Sequence, residues 1–327
     1  MVEEADIILE VIDARDPLGT RCRDIEEAVI AAGADKRLVL LLNKVDLIPR
    51  ENLLLWLAYL RKELPTVVFK ASTQSQSSHL GRSSANILSS SDDMLSSSKC
   101  FGAKMLMKLL GNYCHNQGVK TAIKVGVVGY PNVGKSSVIN SLKRSRACTV
   151  GATPGLTKSV QEVSLDKHIK LLDSPGIVFA QASQFETGSQ MESMIALRNA
   201  TKVETLQDPR TPIDALLTRV TKEQLMLFYK LPDFTSGDQF LELLARRFGK
   251  LKKGGVADTT SAARKVLTDW NSGKIRYCST PPDTHSLPNH IGAEIVQSLT
   301  KPFGFDDALA SEEMVDLSRE LEQFYLT

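Results

Sequence analysis

"GYPNVGKSS", residues 129–137, matches the pattern G-x-x-x-x-G-K-[ST] in full. The run before it, "TAIKVGVVGY", reads as a strand, and "SSVINSLK" opens a helix after it. Strand, glycine-rich loop and helix form the setting in which such a loop cradles phosphate. Gly129 and Gly134 let backbone N–H groups turn inward, and the helix N-terminus adds partial positive charge. Lys135 is then placed to reach the β- and γ-phosphates of a nucleotide, and the Ser136 hydroxyl to ligate Mg²⁺. Pro131, Asn132, Val133 and Ser137 complete the loop. A chance glycine-rich turn is the plain alternative.

Working downstream, "KSVQEVSLDKHIKLLDSPG" reads as two strands joined by a turn near Asp166. The second strand ends in Asp173-Ser-Pro-Gly176. In P-loop enzymes an aspartate so placed holds Mg²⁺, and a following glycine N–H meets the γ-phosphate. Between the phosphate loop and these strands lies "TVGATPGLTKSV". A threonine there can give its hydroxyl to the metal while the γ-phosphate is present. Thr157 is the first choice and Thr153 the second; an ordinary Pro/Gly/Thr surface loop is the alternative.

Upstream, "LLLNKVDLIP" (Leu40 to Pro49) has the form of a guanine-reading loop at the end of a buried strand. Guanine offers two donors on one edge, and the Asp46 carboxylate can accept both at once. Asn43 would tie loops together or touch the base, and the Lys44 stem would cover its face. "FKAS", after a third strand, puts the Ala71 and Ser72 backbone near the guanine oxygen. This loop precedes the phosphate loop, the reverse of the usual order. Each motif still sits at the C-terminal end of an expected parallel strand, where an open α/β sheet binds its ligand. Chain order does not enter that geometry.

The strands expected at Ile7–Ile12, "RLVLLLNKVD" and "TVVFKAS" alternate with helices "DIEEAVIAAG" and "ENLLLWLAYLRKEL", the signature of an α/β sheet. The chain has 327 residues, 42% apolar and 24% charged, with Lys+Arg 40 against Asp+Glu 38. Bulk charge therefore speaks neither for nor against nucleic acid. Cys22, Cys100, Cys114, Cys148 and Cys278 are scattered and odd in number, as reduced thiols are. No apolar run approaches the roughly 20 residues of a membrane span, so no membrane partner is expected.

The motif set "DARDP" (Asp13 to Pro17), "NKVD", "GYPNVGKSS", "PGLT" and "DSPG" resembles the circularly permuted GTPases of ribosome assembly, within them the nucleostemin family. The expected fold is α/β: a circularly permuted P-loop GTPase domain over residues 1–71 and 99–182, followed by a small helical domain over 183–280. Residues 72–98, rich in serine, are expected as a flexible loop, and 281–327 as a tail of uncertain role. The resemblance implies GTP/GDP and Mg²⁺ as cofactors, with Lys135, Asn132 and Gly176 in the catalytic set. Asn132 stands where related GTPases help hold K⁺ against the phosphates. Ile177 stands where many GTPases carry a water-orienting Gln, so hydrolysis is expected to be slow. A GTP-dependent scaffold without useful turnover is the rival, and a truncated form that binds partners without nucleotide a third reading.

The resemblance further implies ribosomal RNA, pre-60S particles and ribosome-assembly proteins as partners, in the nucleus and nucleolus. The family usually carries a strongly basic N-terminal region before the GTPase domain. These 327 residues lack it, which weakens the expectation of nucleolar retention. "ARRFGKLKKGG" gathers Arg246, Arg247, Lys250, Lys252 and Lys253 at the end of an expected helix. Five cations exceed what a helix cap needs, so they are a candidate RNA contact; a solvated helix end is the alternative.

Overall fold

The structure, a computed structural model, describes residues 2–33, 36–88, 90–116, 122–151, 153–176 and 188–282. Within these, the chain forms two compact units. One runs to Val150 and resumes from Gly155 to Gly176; the other takes in Gly188 to Ser279.

The first unit is built on a six-stranded sheet: β1 (Ile7–Asp13), β2 (Arg37–Asn43), β3 (Thr66–Val68), β4 (Ile123–Val128), β5 (Gln161–Ser164) and β6 (Ile169–Asp173). The spatial order is β3-β2-β1-β4-β6-β5, parallel throughout except β5, which pairs antiparallel with β6. All seven residues of "IILEVID" are buried, as expected for a parallel strand covered on both faces. α1 (Arg23–Ala31), α2 (Arg50–Arg61), α4 (Ala103–Asn116) and α5 (Lys135–Lys143) supply the covering helices. Asp166 makes the expected turn before β6 by accepting from the N–H groups of His168 (2.7 Å) and Ile169 (2.8 Å). Register decides what meets at the sheet's C-terminal edge: Asp13 lies beside Asn43, and Val127 beside Asp173.

Two expectations need correction. β3 is three residues long, because after the Phe69 N–H bonds to the Leu42 carbonyl (2.8 Å) the chain leaves the ladder and Lys70 pairs with Phe101 instead. The serine-rich stretch 72–98 is folded onto this unit rather than hung from it. Four of its apolar residues, Leu80, Ile87, Leu88 and Leu95, are buried, while Met94 is exposed. Its backbone bonds to Cys100 (from Ser83, 2.7 Å) and Arg144 (from Leu80, 3.1 Å), and it contains a short helix, α3 (Asp92–Leu95). Four well-spaced apolar anchors outweigh a polar composition here.

The second unit packs α6 (Gly188–Leu197), α7 (Thr211–Leu217), α8 (Lys222–Tyr229), α9 (Gly237–Arg247) and α10 (Thr259–Asn271) around an apolar core that includes Leu216, Leu225, Phe240, Leu244, Val266 and Trp270. The starts of three helices follow from side chains: Thr221, Ser236 and Asp258 accept from the N–H groups of Gln224, Gln239 and Ser261. Among the described residues no helix is long and apolar enough to cross a membrane. The expected start of this unit at 183 and the tail from 283 onward lie outside the described residues.

Candidate functional site

The phosphate loop runs from β4 into α5 in a conformation that its two glycines make possible. Gly129 has φ +139°, and a Cβ there would lie 2.4 Å from the Val11 carbonyl oxygen. Gly134 has φ +103°, and a Cβ would meet the Asn43 carboxamide at 2.4 Å. The Lys135 ammonium folds over the loop and donates to the carbonyls of Gly129 (2.9 Å) and Tyr130 (2.7 Å). Burial pushes it down to about 8, against the opposing pull of Asp173. An arriving phosphate would favour its charged form.

Three of the expected oxygens meet beside the loop. The Ser136 hydroxyl donates to Asp173 Oδ2 at 2.8 Å and lies 3.3 Å from the Thr157 hydroxyl. Asp173 is fully buried; its Oδ1 takes no hydrogen bond from any nitrogen or hydroxyl among the described residues. The neighbouring group is the Cys148 thiol, which burial and then the Asp173 charge push up to about 12. Among the described residues no group of three His, Cys, Asp or Glu could hold a metal by itself. A hard cation that takes one carboxylate, two hydroxyls and phosphate oxygens needs no such group, so this donor set fits Mg²⁺. Gly176 passes close over the phosphate loop: a Cβ would stand 2.7 Å from Pro131 Cα. Of the two threonines considered, Thr157 is the one whose hydroxyl is found beside Ser136. Ile177 lies outside the described residues.

The base-reading loop is joined to the phosphate loop by side chains. Asn43 Nδ2 donates to the Val133 carbonyl (2.8 Å), and its Oδ1 accepts from the Ala71 N–H (3.2 Å). Of the two roles expected for Asn43, tying loops is the one seen. Ser72 N–H donates to the Ser141 hydroxyl (2.8 Å), so both amides expected near a guanine oxygen already have partners. Ser137 contributes its carbonyl to the same Ser141 hydroxyl (2.7 Å). Lys44, at φ +64°, reaches the Asn132 carbonyl at 2.7 Å. Asp46 sits in a short 3₁₀ turn, Val45–Leu47, where burial raises its carboxyl and Lys70 pulls it back.

Sequence reasoning missed two residues here. Asp13 and Arg15, quoted only as part of "DARDP", lie at the end of β1 between the two motif loops. Asp13 Oδ2 accepts from Lys44 (2.8 Å) and from Arg15 (2.7 Å). The available signal was position: a polar run closing a buried strand of the same sheet.

In the second unit, Arg246 pairs with Glu242 (2.6 Å), and the Lys250 ammonium reaches the Ser261 carbonyl at 3.4 Å. Gly254 and Gly255, at φ +87° and +75°, make the turn of a small hairpin in which Lys252 N–H donates to Val256. The hairpin explains the glycines without a ligand. Arg247, Lys252 and Lys253 remain exposed beside it.

A phosphate loop, a D-x-x-G aspartate and a base-reading loop at one edge of this sheet, with the base loop first in the chain, define a circularly permuted P-loop GTPase domain. The family model described as "50S ribosome-binding GTPase" matches residues 124–230. The "Guanine nucleotide-binding protein-like 3 homolog" of Caenorhabditis elegans is 52% identical over 314 residues, 95% of this chain and 54% of that protein. "Guanine nucleotide-binding protein-like NSN1" of Arabidopsis thaliana is 51% identical over 312 residues, 95% and 52% respectively. GNP-bound YlqF from T. maritima matches with TM-score 0.55 at 25% identity, over 86% of this chain and 95% of that one. The chain belongs to the guanine nucleotide-binding protein-like 3, or nucleostemin, family. It spans about half the length of the curated relatives it matches.

Proposed function

We propose that this protein is a GTP-controlled assembly factor for the large ribosomal subunit, acting in the nucleus and nucleolus. The observation that carries the nucleotide half of this reading is the convergence of Ser136, Thr157 and Asp173 beside a phosphate loop that the base-reading loop touches through Lys44. The name of the matching family model supports the ribosomal half.

In this reading the phosphate-loop amides and Lys135 bind the nucleotide's phosphates, and the Gly176 N–H meets the γ-phosphate. Ser136, Thr157 and Asp173 would hold Mg²⁺, which, when bound, supplies positive charge against the phosphate oxygens. Asp46 accepts from two guanine donors, an arrangement that can discriminate by roughly 10⁴–10⁵. Asp46→Asn should therefore weaken GTP strongly and improve XTP, because xanthine presents an acceptor where guanine has its amino group. Competition binding with GTP, ATP and XTP measures this; unchanged preference removes Asp46 from the base site.

Hydrolysis is slow by itself, because Ile177 cannot orient water. The same residue favours a second reading, a GTP-dependent scaffold without useful turnover. Single-turnover hydrolysis with and without pre-60S particles separates the two. Asn132 joins K⁺ to the site, so hydrolysis runs faster in K⁺ than in Na⁺ and Asn132→Ala erases the difference; equal rates discard the idea. Arg247, Lys250 and Lys252 contact structured ribosomal RNA through its phosphates. Changing all three to Glu should lower affinity and flatten the salt slope by up to about three counterions' worth, with GTP binding intact. Anisotropy titrations at several KCl concentrations decide it.

A further inference from the structure

β1 carries no nucleotide motif, yet it lies between the strand that ends in the base-reading loop and the strand that ends in the phosphate loop. Its last residue, Asp13, is buried. The Asp13 carboxylate is saturated by cations: Lys44 Nζ at 2.8 Å and Arg15 Nη2 at 2.7 Å on Oδ2, with Arg15 Nε at 3.0 Å and N–H at 3.1 Å on Oδ1. Its own N–H donates to the Thr20 hydroxyl at 2.9 Å, which fixes the backbone beneath it. Burial alone would raise this carboxyl, but Lys44 and then Arg15 more than offset it and hold it well below the usual range. It is therefore an anion at any physiological pH.

Lys44 and Asn132 both sit in the left-handed region, at φ +64° and +59°. Each is a strained conformation for a residue with a Cβ and persists only where neighbours fix it. The two residues belong to different loops and are joined by one bond, Lys44 Nζ to the Asn132 carbonyl, 2.7 Å. The Lys44 side chain is 24% exposed, so without an anion to aim it the ammonium can turn to water. Asp13 is the anion in place.

We propose that Asp13, braced by Arg15, is a positioning residue: it aims Lys44 at the phosphate loop and so couples the base end of the nucleotide site to the phosphate end. The inference rests on the GTP reading above and adds to it a residue that does not itself reach nucleotide. It predicts that Asp13 matters for binding only through Lys44.

The test is a double-mutant cycle on GDP affinity with the full chain: wild type, Asp13→Asn, Lys44→Met and the pair. Asp13→Asn should weaken GDP about tenfold or more, the scale of one lost charged hydrogen bond. In the Lys44→Met background the same change should cost less than about twofold, because the bond it supports is already gone. A purely structural role would lower thermal stability in both backgrounds and give additive losses. If Asp13→Asn does not fold, Asp13→Glu serves, since it keeps the charge and shifts it by one methylene; its loss must likewise vanish without Lys44. Wild-type affinity in the Asp13 variants, or equal losses with and without Lys44, overturns the clamp. If wild type binds GDP and Lys135→Ala does not, the nucleotide reading stands whatever the cycle shows. If wild type binds no GDP, both fall.

Discussion

Each of the two units buries a carboxylate, and the two are treated in opposite ways. Asp269, on α10, accepts from Lys265 at both oxygens (2.7 Å each), from Lys274 (3.1 Å) and from the Tyr229 hydroxyl (3.2 Å). Asp173, at the end of β6, accepts from Ser136 at Oδ2 and leaves Oδ1 without an N–H or hydroxyl donor. Burying an anion is costly unless its lone pairs are met. A filled set, as at Asp269, ties helices together. An open oxygen beside a phosphate loop is a place for a cation. The surroundings repeat the contrast: the helical unit's interior is almost wholly apolar, whereas the sheet's C-terminal edge buries Asp13, Asn43, Lys135 and Asp173.

The comparison breaks or sharpens through measurements on stability and binding. The largest effect belongs to the apolar core: Trp270→Ala should cost the helical unit about 3–5 kcal/mol, read by thermal or urea unfolding, since it empties a fully buried site. Trp270 also loses its bond to the Leu197 carbonyl (2.8 Å) and its stacking on Tyr277 (3.7 Å). Next, Asp269→Ala should cost about 1–3 kcal/mol, because it leaves the buried Tyr229 hydroxyl unpaired. GDP affinity should stay as in wild type.

A pH effect comes third. In the free chain the folded Lys135 loses its proton near pH 8, while the unfolded one keeps it to about 10.5. Between those values the unfolded state binds more protons, so stability should rise with pH relative to Lys135→Met, by at most about 1.4 kcal/mol per unit. Nucleotide affinity should fall over the same window, since phosphate prefers the ammonium. A flat stability difference from pH 7 to 10 would show that Lys135 is not held in a depressed state. The smallest stability effect is at the other carboxylate: Asp173→Asn should change unfolding by less than about 1 kcal/mol, or stabilise, while Mg²⁺-dependent GTP binding collapses. If instead Asp173→Asn destabilises its unit as much as Asp269→Ala destabilises the helical one, the open oxygen is structural and the contrast fails.

The motifs were legible because they are local. Gly129 and Gly134 are required where the backbone turns to positive φ, Ser136 follows Lys135 at the helix start, and the D-x-x-G aspartate closes an apolar strand. Helical spacing likewise marked the second unit as helical, while its caps at Thr221, Ser236 and Asp258 are seen only in the structure. Residues 72–98 were misread because serine content hid four buried anchors whose partners lie elsewhere in the chain. Ala71 and Ser72 were placed by analogy with a loop near the base, but their amides answer to Asn43 and Ser141. The glycines after Lys253 serve a hairpin turn whose partner, Val256, no motif marks.

By itself, then, the sequence determined the α/β class, the permuted order of loops and the residues that make up the glycine-rich loop, because those depend on spacing within about ten residues and on apolar runs. The tertiary structure alone decided which polar groups meet. Lys44 finds Asp13 31 residues away and Asn132 88 residues away. Asn43 bridges Val133 and Ala71, and Thr157, rather than Thr153, comes to Ser136. These pairings follow from strand order and register in the sheet, which bring together chain segments that no local pattern links.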